Sequence, residues 1–263
     1  HNQESTYFHE LADTVKPGFR KLYYLVEALK FKRLESILAG QLNNLMFISS
    51  DELKVFTAAY AGRNCVFLPP AIDVREMSRV SLDSRTVLLV SSLFMPNNQE
   101  AVRWYVKQVH PQFCDIEDYQ LIVAGNSRGQ NLDWLTSLTG RYQNITVIDS
   151  PKELMPLYQQ SRLFINAMHH GAGVKLKAVE AIKNGLPVVS TTVGNQGTGL
   201  VAGRDILIAD DSRQFARQVR TLLLDRERCE TLVTAAQEFV AHYYNQEEIL
   251  REFLGPLLAD KIR

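Results

Sequence analysis

The sequence predicts an α/β fold built on a parallel sheet, and three observations carry that expectation. Short apolar runs recur at residues 87–91 (VLLVS), 119–124 (YQLIVA), 145–148 (ITVI), 163–167 (LFINA) and 187–190 (PVVS). Continuous apolar runs of this kind suit strands buried on both faces. Helical patterns separate them, and a strand that returns through a helix must pair in parallel. The clearest unit is residues 162–192. It reads as strand 163–167, a turn with Gly171 and Gly173, a helix over 174–183 and a second strand 187–190. Val174, Ala178, Ala181 and Ile182 set the helical spacing there, Gly185 closes the helix, and Pro187 cannot extend it.

Composition narrows the function classes. A chain of 263 residues with 46% hydrophobic and 22% charged side chains holds one large or two small globular domains. The formal net charge is zero, so no whole-chain field draws it to nucleic acid, and no nucleic-acid partner is expected. Cys65, Cys114 and Cys229 are odd in number and far apart, which suits neither a disulfide framework nor a metal site. A reducing, cytosolic setting follows as the expectation. No apolar run approaches the roughly 20 residues of a membrane span. No signal peptide is visible, and the chain opens on His1 rather than methionine, so its natural start need not be the recorded one.

In chain order, residues 1–15 read as a loop entering a short helix. Residues 19–39 form an amphipathic helix, apolar at Leu22, Leu25, Val26, Leu29 and Leu38 and basic at Arg20, Lys21, Lys30, Lys32 and Arg33. Packing on a core with a solvated basic face is one reading of it; peripheral membrane contact through residues 19–39 is the other. Residues 44–49 form a strand, Ser50 or Asp51 caps the next helix, and residues 65–69 form another strand. Periodicity lapses over 69–85, which reads as a linker.

Strand 87–91 then opens a second α/β region. Its helix runs to Val109 from a capping-box-like start at Asn97 and Glu100. Strand 119–124 ends at Gly125, Asn126 and Ser127. A glycine there either lets a ligand approach the backbone or simply makes a turn. After strand 145–148, Asp149 leads to Ser150 as N-cap, Pro151 at the first helical position and Glu153 completing a box. Thr191, Thr192 and Gly194 lie in a polar loop after strand 187–190. Strand 205–209 follows, then a helix capped within 210–212, and helix continues to the end of the chain.

The 171–183 segment carries chemistry. A glycine turn feeding a helix start presents unpaired N–H groups at the positive end of the helix dipole, an arrangement that suits anions. Lys175 and Lys177 add full charges, and Glu180 is an acceptor-only group able to receive two sugar hydroxyls.

The string GAGVKLKAVEAIKNGLPVVSTTVGNQG resembles the donor-site motif of retaining GT-B glycosyltransferases of family four, the group-one glycosyltransferases, in the branch reading G-A-G-V-K-x-K-x-x-E-A. The resemblance implies a complete C-terminal Rossmann-like domain (parallel sheet flanked by helices) over 86–245. It also implies the tail of an N-terminal, acceptor-side Rossmann-like domain over 1–68, a linker over 69–85 and a terminal helix over 246–263 that packs back on the N-terminal part. It places Gly171, Gly173, Val174, Lys175 and Lys177 against a nucleotide diphosphate, Glu180 against the ribose, and Asp149 to Leu154 against the base. Relatives often carry G-R-x-x-x-x-x-K after the first strand of this domain, where this chain has Ser91, Ser92 and Asn97. They often carry an earlier glutamate where this chain has Ala172, preceded by His169 and His170. Thr192 and Gly194 would run past sugar and phosphates. His1, in an H-N-x-E segment, would face the transferring sugar.

These features imply a retaining, metal-independent transferase, with His1, Lys175 and Lys177 as catalytic candidates. The resemblance implies a nucleotide-diphosphate sugar as co-substrate with no further cofactor, a saccharide or lipid-linked acceptor, and polysaccharide biosynthesis in the cytoplasm, with a peripheral place at the inner membrane face as one expectation. The donor-binding candidates are Ser91, Ser92, Asn97, Gly125, Asn126, Asp149, Leu154, His169, His170, Gly171, Gly173, Val174, Glu180, Thr192 and Gly194. His169 and His170 lack acidic or cysteine neighbours at ligand spacing, so a polar contact to the donor outranks a metal. No G-x-S-x-G elbow, P-loop or G-x-G-x-x-G is present, against a hydrolase, NTPase or dehydrogenase. A nucleotide-sugar epimerase and a non-catalytic binding or scaffold fragment remain as alternatives.

Overall fold

The computed structural model describes residues 4–259 except 61, 76, 79–81 and 172. The chain divides into two compact units. The first comprises the residues up to Pro70, Gly173–Val174 and the chain from Gln246 on; the second comprises Ala71–Gly171 and Lys175–Asn245.

The first unit contains helices α1 (Glu4–Thr14) and α2 (Phe19–Gln41), strand β1 (Asn44–Phe47), helix α3 (Ser50–Ala59) and strand β2 (Asn64–Phe67). β1 and β2 pair in parallel, Asn44 opposite Asn64 and Phe47 opposite Phe67. α1 packs on α2 through a stacked Phe8–Phe31 pair at 5.3 Å, and the Ser5 hydroxyl donates to Glu35 at 2.6 Å. The expected core-packed α2 needs correction. Only Ala28 and Ala39 of this helix are buried, whereas Phe19, Leu22, Tyr23, Val26 and Leu29 are exposed. Periodicity marks an apolar stripe, but among the described residues its Leu22, Val26 and Leu29 are exposed. α3 is capped by Ser49, whose hydroxyl accepts from the Glu52 N–H at 3.4 Å, rather than by Ser50 or Asp51. Ser49 still has extended backbone angles, so the helix begins one residue earlier than composition suggests.

The second unit is a six-stranded parallel sheet flanked by helices. Its strands are β3 (Thr86–Val90), β4 (Gln120–Gly125), β5 (Ile145–Asp149), β6 (Leu163–Asn166), β7 (Val188–Ser190) and β8 (Leu207–Ile208). They lie in the order β5-β4-β3-β6-β7-β8. Its helices are α4 (Pro96–Trp104), which continues through a π turn (Tyr105–Val109), then α5 (Asp133–Thr139), α6 (Met155–Gln159), α7 (Leu176–Lys183), α8 (Ser212–Leu224) and α9 (Arg226–Tyr243). α10 (Gln246–Ala259) belongs to the first unit, where the Gln246 amide donates to the Pro69 carbonyl. Leu88, Leu121, Leu163, Phe164, Val188 and Val189 are fully buried, as strands covered on both faces require.

The chain builds outward from β3 in one direction, then crosses to β6 and builds in the other. The order therefore reverses between β3 and β6. The crevice at such a reversal, outside the carboxyl ends of the strands, is where open α/β sheets bind ligands.

Three helix starts differ from expectation, each for a local reason. α4 starts at Pro96 without a side-chain cap, because proline presets the helical φ and has no N–H to satisfy. α6 starts at Met155, not at the Ser150 box. Ser150 has φ 49°, donates its hydroxyl to Asp149 at 2.9 Å and donates its N–H to the Gly125 carbonyl at 2.7 Å. α7 starts at Leu176, because the Lys175 N–H donates to the Gln196 carbonyl and holds that residue out of the helix.

Gly125 follows from the same sheet geometry. A Cβ there would stand 1.6 Å from the Ser91 carbonyl oxygen, so the glycine is what lets the end of β3 lie against β4. Gly125→Ala should lower unfolding stability by on the order of 3 kcal/mol or more, since backbone must move to admit the methyl. Urea denaturation measures this; a midpoint unchanged from the native protein would contradict the packing account.

Candidate active site

The switch-point crevice collects the ends of β3 and β6 and the start of α7. Lys177 is half-buried, and its ammonium donates to the Ser91 hydroxyl at 3.2 Å and to the Asn98 side-chain carbonyl at 3.1 Å. Burial first, and the like charge of Lys175 second, push the Lys177 amine down to about 8. Lys175 is 5% exposed and donates to the Gly171 carbonyl at 3.0 Å. Gly171 has φ 129°, and a Cβ there would stand 2.8 Å from the Asn97 amide nitrogen and 3.7 Å from the Lys175 amine. One backbone position thus has Asn97 and a lysine packed around it. Gly173 has φ 80°, a conformation that favours glycine.

Glu180 lies one turn beyond Lys177. Among the described residues its carboxylate has no hydrogen-bond or ion-pair partner; only its backbone carbonyl is engaged, by Asn184. Burial, and then the charge of Glu180, push the Tyr158 phenol up to about 12. Residues three apart on a helix share a face, so Lys177 and Glu180 point to adjacent places.

The loops after β4 and β5 hold one another, and the loop after β7 is held by Asp210 and Asn166. Asp149 accepts from the Ser127 N–H at 3.0 Å, the Ser127 hydroxyl at 2.8 Å and the Ser150 hydroxyl at 2.9 Å. Those hydrogen bonds, Ser127 first, hold its carboxyl below the ordinary range. Asn126 is exposed and accepts from the Arg128 N–H at 2.6 Å. The Leu154 carbonyl accepts from the N–H groups of Leu157 and Tyr158. Thr192 donates its N–H and hydroxyl to Asp210 at 2.7 and 2.6 Å. The Gly194 carbonyl accepts from the Asn166 amide at 2.6 Å, and a Cβ there would meet the Asn166 carbonyl at 2.5 Å.

The two histidines face α4. His169 packs edge-on to Trp104 at 4.4 Å, and its Nε2 is buried without a hydrogen-bond partner among the described residues. Burial lowers its pKa, against the opposing charges of Asp210 and Glu100. His170 is exposed, 3.5 Å from Glu100. No three His, Cys, Asp or Glu side chains converge as a metal site among the described residues.

The expected site residues therefore fall into groups. Ser91, Asn97, Gly171, Lys175, Lys177 and Glu180 come together around the start of α7. The Ser92 carbonyl accepts from the Asn98 amide, so it braces that group from behind. Gly125, Asp149, Thr192 and Gly194 shape the loops, and His169 and His170 border α4. Val174 is half-buried. His1 lies outside the described residues. Asn98 is the contact that the motif reading passes over. A signal existed, because counting eight positions from Ser91 along the G-R-x-x-x-x-x-K spacing lands on Asn98 rather than Asn97.

Comparison with known proteins bears on the fold and the family. The family model described as group 1 glycosyl transferases matches residues 84–225. An "Uncharacterized 44.6 kDa protein in cps region" of Klebsiella pneumoniae is 32% identical over 257 residues, covering 95% of this chain and 65% of that protein. The crystal structure of TarM superposes with a TM-score of 0.68 at 12% identity, over 86% of this chain and 45% of the other. Anabaena HepE, in complex with UDP and glucose, gives a TM-score of 0.63 at 15% identity over 87% of this chain and 66% of the other. The chain thus spans about two thirds of the curated relative and under half of TarM. The parallel sheet flanked by helices is that of the GT-B glycosyltransferases, as expected. With its model matched over more than half of the residues, the chain belongs to the group 1 glycosyl transferases.

Proposed function

We propose that this chain holds a nucleoside-diphosphate sugar at the start of α7, as part of an enzyme that passes the sugar to a saccharide or lipid-linked acceptor with retention of configuration. The observation that carries the reading is the Lys177 ammonium, held between Ser91 and Asn98 at the end of β3 with Lys175 two residues before it. Two cations beside a helix start suit a diphosphate. Glu180, one turn on, suits the ribose hydroxyls, because residues three apart on a helix lie about 5–6 Å from each other and a ribose adjoins its α-phosphate.

In this reading the lysines stabilise charge as it accumulates on the departing diphosphate, an interaction stronger in the transition state than in the bound donor. Their two charges do the work for which a metal would otherwise serve, and no further cofactor is invoked. The resemblance of the GAGVKLKAVEA motif supports the family-four branch and retention. Polysaccharide assembly is supported by the cps-region name of the Klebsiella relative, and a UDP donor by the ligands of HepE. A cytosolic setting suits such a donor. Among the described residues no helix is long and apolar enough to cross a membrane.

Isothermal titration of the 263-residue chain with UDP, GDP and ADP should find at least one binder with a dissociation constant between about 1 μM and 1 mM. No heat from any of the three at millimolar concentration would overturn the reading. Glu180→Ala should weaken that nucleotide by roughly 2–4 kcal/mol if its ribose bonds are charge-assisted; an unaltered titration would remove Glu180 from the site.

Affinity should also depend on pH in a stated direction. The diphosphate favours the ammonium, so the amine of Lys177 titrates near 8 when free and higher when bound. Binding then takes up a proton above pH 8, and affinity falls by up to about tenfold per pH unit until the bound-state value is reached. Titrations from pH 7 to 9.5 read this; affinity level across that range would show that Lys177 stays charged throughout or does not face the ligand.

A further inference from the structure

The geometry points to Asn98 as a positioning residue: its amide holds the Lys177 ammonium against the end of β3, so that the cation meets the ligand's anionic group from a fixed place. This rests on the diphosphate reading of the same site. Asn98 is 9% exposed and lies in the first turn of α4. Its Nδ2 donates to the Ser92 carbonyl at 3.2 Å, and only the nitrogen end of an amide can donate there. The carbonyl end is therefore turned to Lys177, at 3.1 Å. The Ser91 hydroxyl accepts a second N–H at 3.2 Å. An ammonium has three N–H groups, so one remains for a ligand among the described residues.

Both holders are neutral, and that is the chemical point. A carboxylate in the place of Asn98 would pair with the ammonium and cancel the charge that a phosphate needs. An aliphatic side chain would let the four-carbon stem swing, and its ordering would then oppose binding. An amide braced on Ser92 avoids both. It accepts from the cation without neutralising it and is itself held by the backbone of the turn that follows β3.

The test uses the whole 263-residue chain, with inorganic pyrophosphate and UDP as probes. Asn98→Asp is nearly isosteric, so the test does not depend on whether Asn98→Leu folds. Asn98→Asp should weaken pyrophosphate by about tenfold or more and move the Lys177 amine titration upward, since a carboxylate favours the charged form. The amine titration is read by pH-dependent reaction with an amine reagent and mass spectrometry of the Lys177 peptide. Asn98→Leu should weaken binding without raising that titration. Lys177→Asn should lose about tenfold or more in affinity, and the exchange Lys177→Asn with Asn98→Lys should recover most of it, because contacting groups couple.

A residue that merely braces the Ser92 carbonyl predicts otherwise. Asn98→Asp and Asn98→Leu would then lose the same affinity, the amine titration would not move, and the exchange would not rescue; that set of results overturns the proposal. If the native chain takes neither pyrophosphate nor any nucleoside diphosphate, the function proposed above fails by itself. The Lys177 amine profile in Asn98→Asp still decides the positioning role, upheld by an upward shift and refuted by none.

Discussion

One ammonium solvated by neutral dipoles sets the terms for this site. Moving a charged amine out of water costs several kcal/mol even after the protein relaxes, and proteins usually offset that with a carboxylate. Lys177 instead has a hydroxyl and an amide, and no carboxylate pairs with it among the described residues. Burial, and then the like charge of Lys175, push the Lys177 amine down to about 8. In the diphosphate reading proposed above, an anion completes such a site. The fold carries the deficit through its sheet, whose inner strands are buried on both faces, in keeping with the general trade between stability and a poised site.

The lysine can be held this way only because the strand ends are brought close. Ser91 reaches Lys177 from the end of β3, and β3 lies so near the turn after β4 that no side chain fits at Gly125. Gly194 does the same on the other side, where its missing side chain leaves room for Asn166 and Ser190. Parallel strands expose their loops on one edge, and the reversal of order between β3 and β6 opens a gap in that edge. The cation, its two holders and the helix start meet in this gap because topology makes one and close packing fixes its walls.

Much of this was legible before any coordinates. Apolar runs located all six strands of the large sheet to within a residue or two, because strands buried on both faces leave an unmistakable pattern. The stop of α7 at Gly185, with φ 84°, was equally plain. Helix starts were less so. Ser150, with Glu153 three residues later, satisfies the rule for a capping box, yet a left-handed backbone at Ser150 and the demand of Asp149 for donors override it. Lys175 belongs to the helical pattern but is withheld by a carbonyl in a loop 21 residues away in sequence. Such contacts are tertiary, and periodicity carries no record of them. The same limit explains α2, whose stripe of Leu22, Val26 and Leu29 announces an apolar face without saying what lies against it. Asn98 was missed for a different reason. The motif spacing points to its position, but only a distance of 3.1 Å to a lysine 79 residues on shows what its carbonyl does.

The acidic residues along the carboxyl edge can be sorted by what already engages them. A carboxylate has about four acceptor sites, and a ligand can use only those the protein leaves open. Asp149 takes three donors from Ser127 and Ser150, which ties the ends of β4 and β5 together. Asp210 takes two from Thr192 and fixes the loop after β7. Glu180 takes none among the described residues. Motif and composition treat the three alike. Hydrogen-bond saturation separates two that tie the loops together from one left open among the described residues, and the open one lies a single helical turn from Lys177.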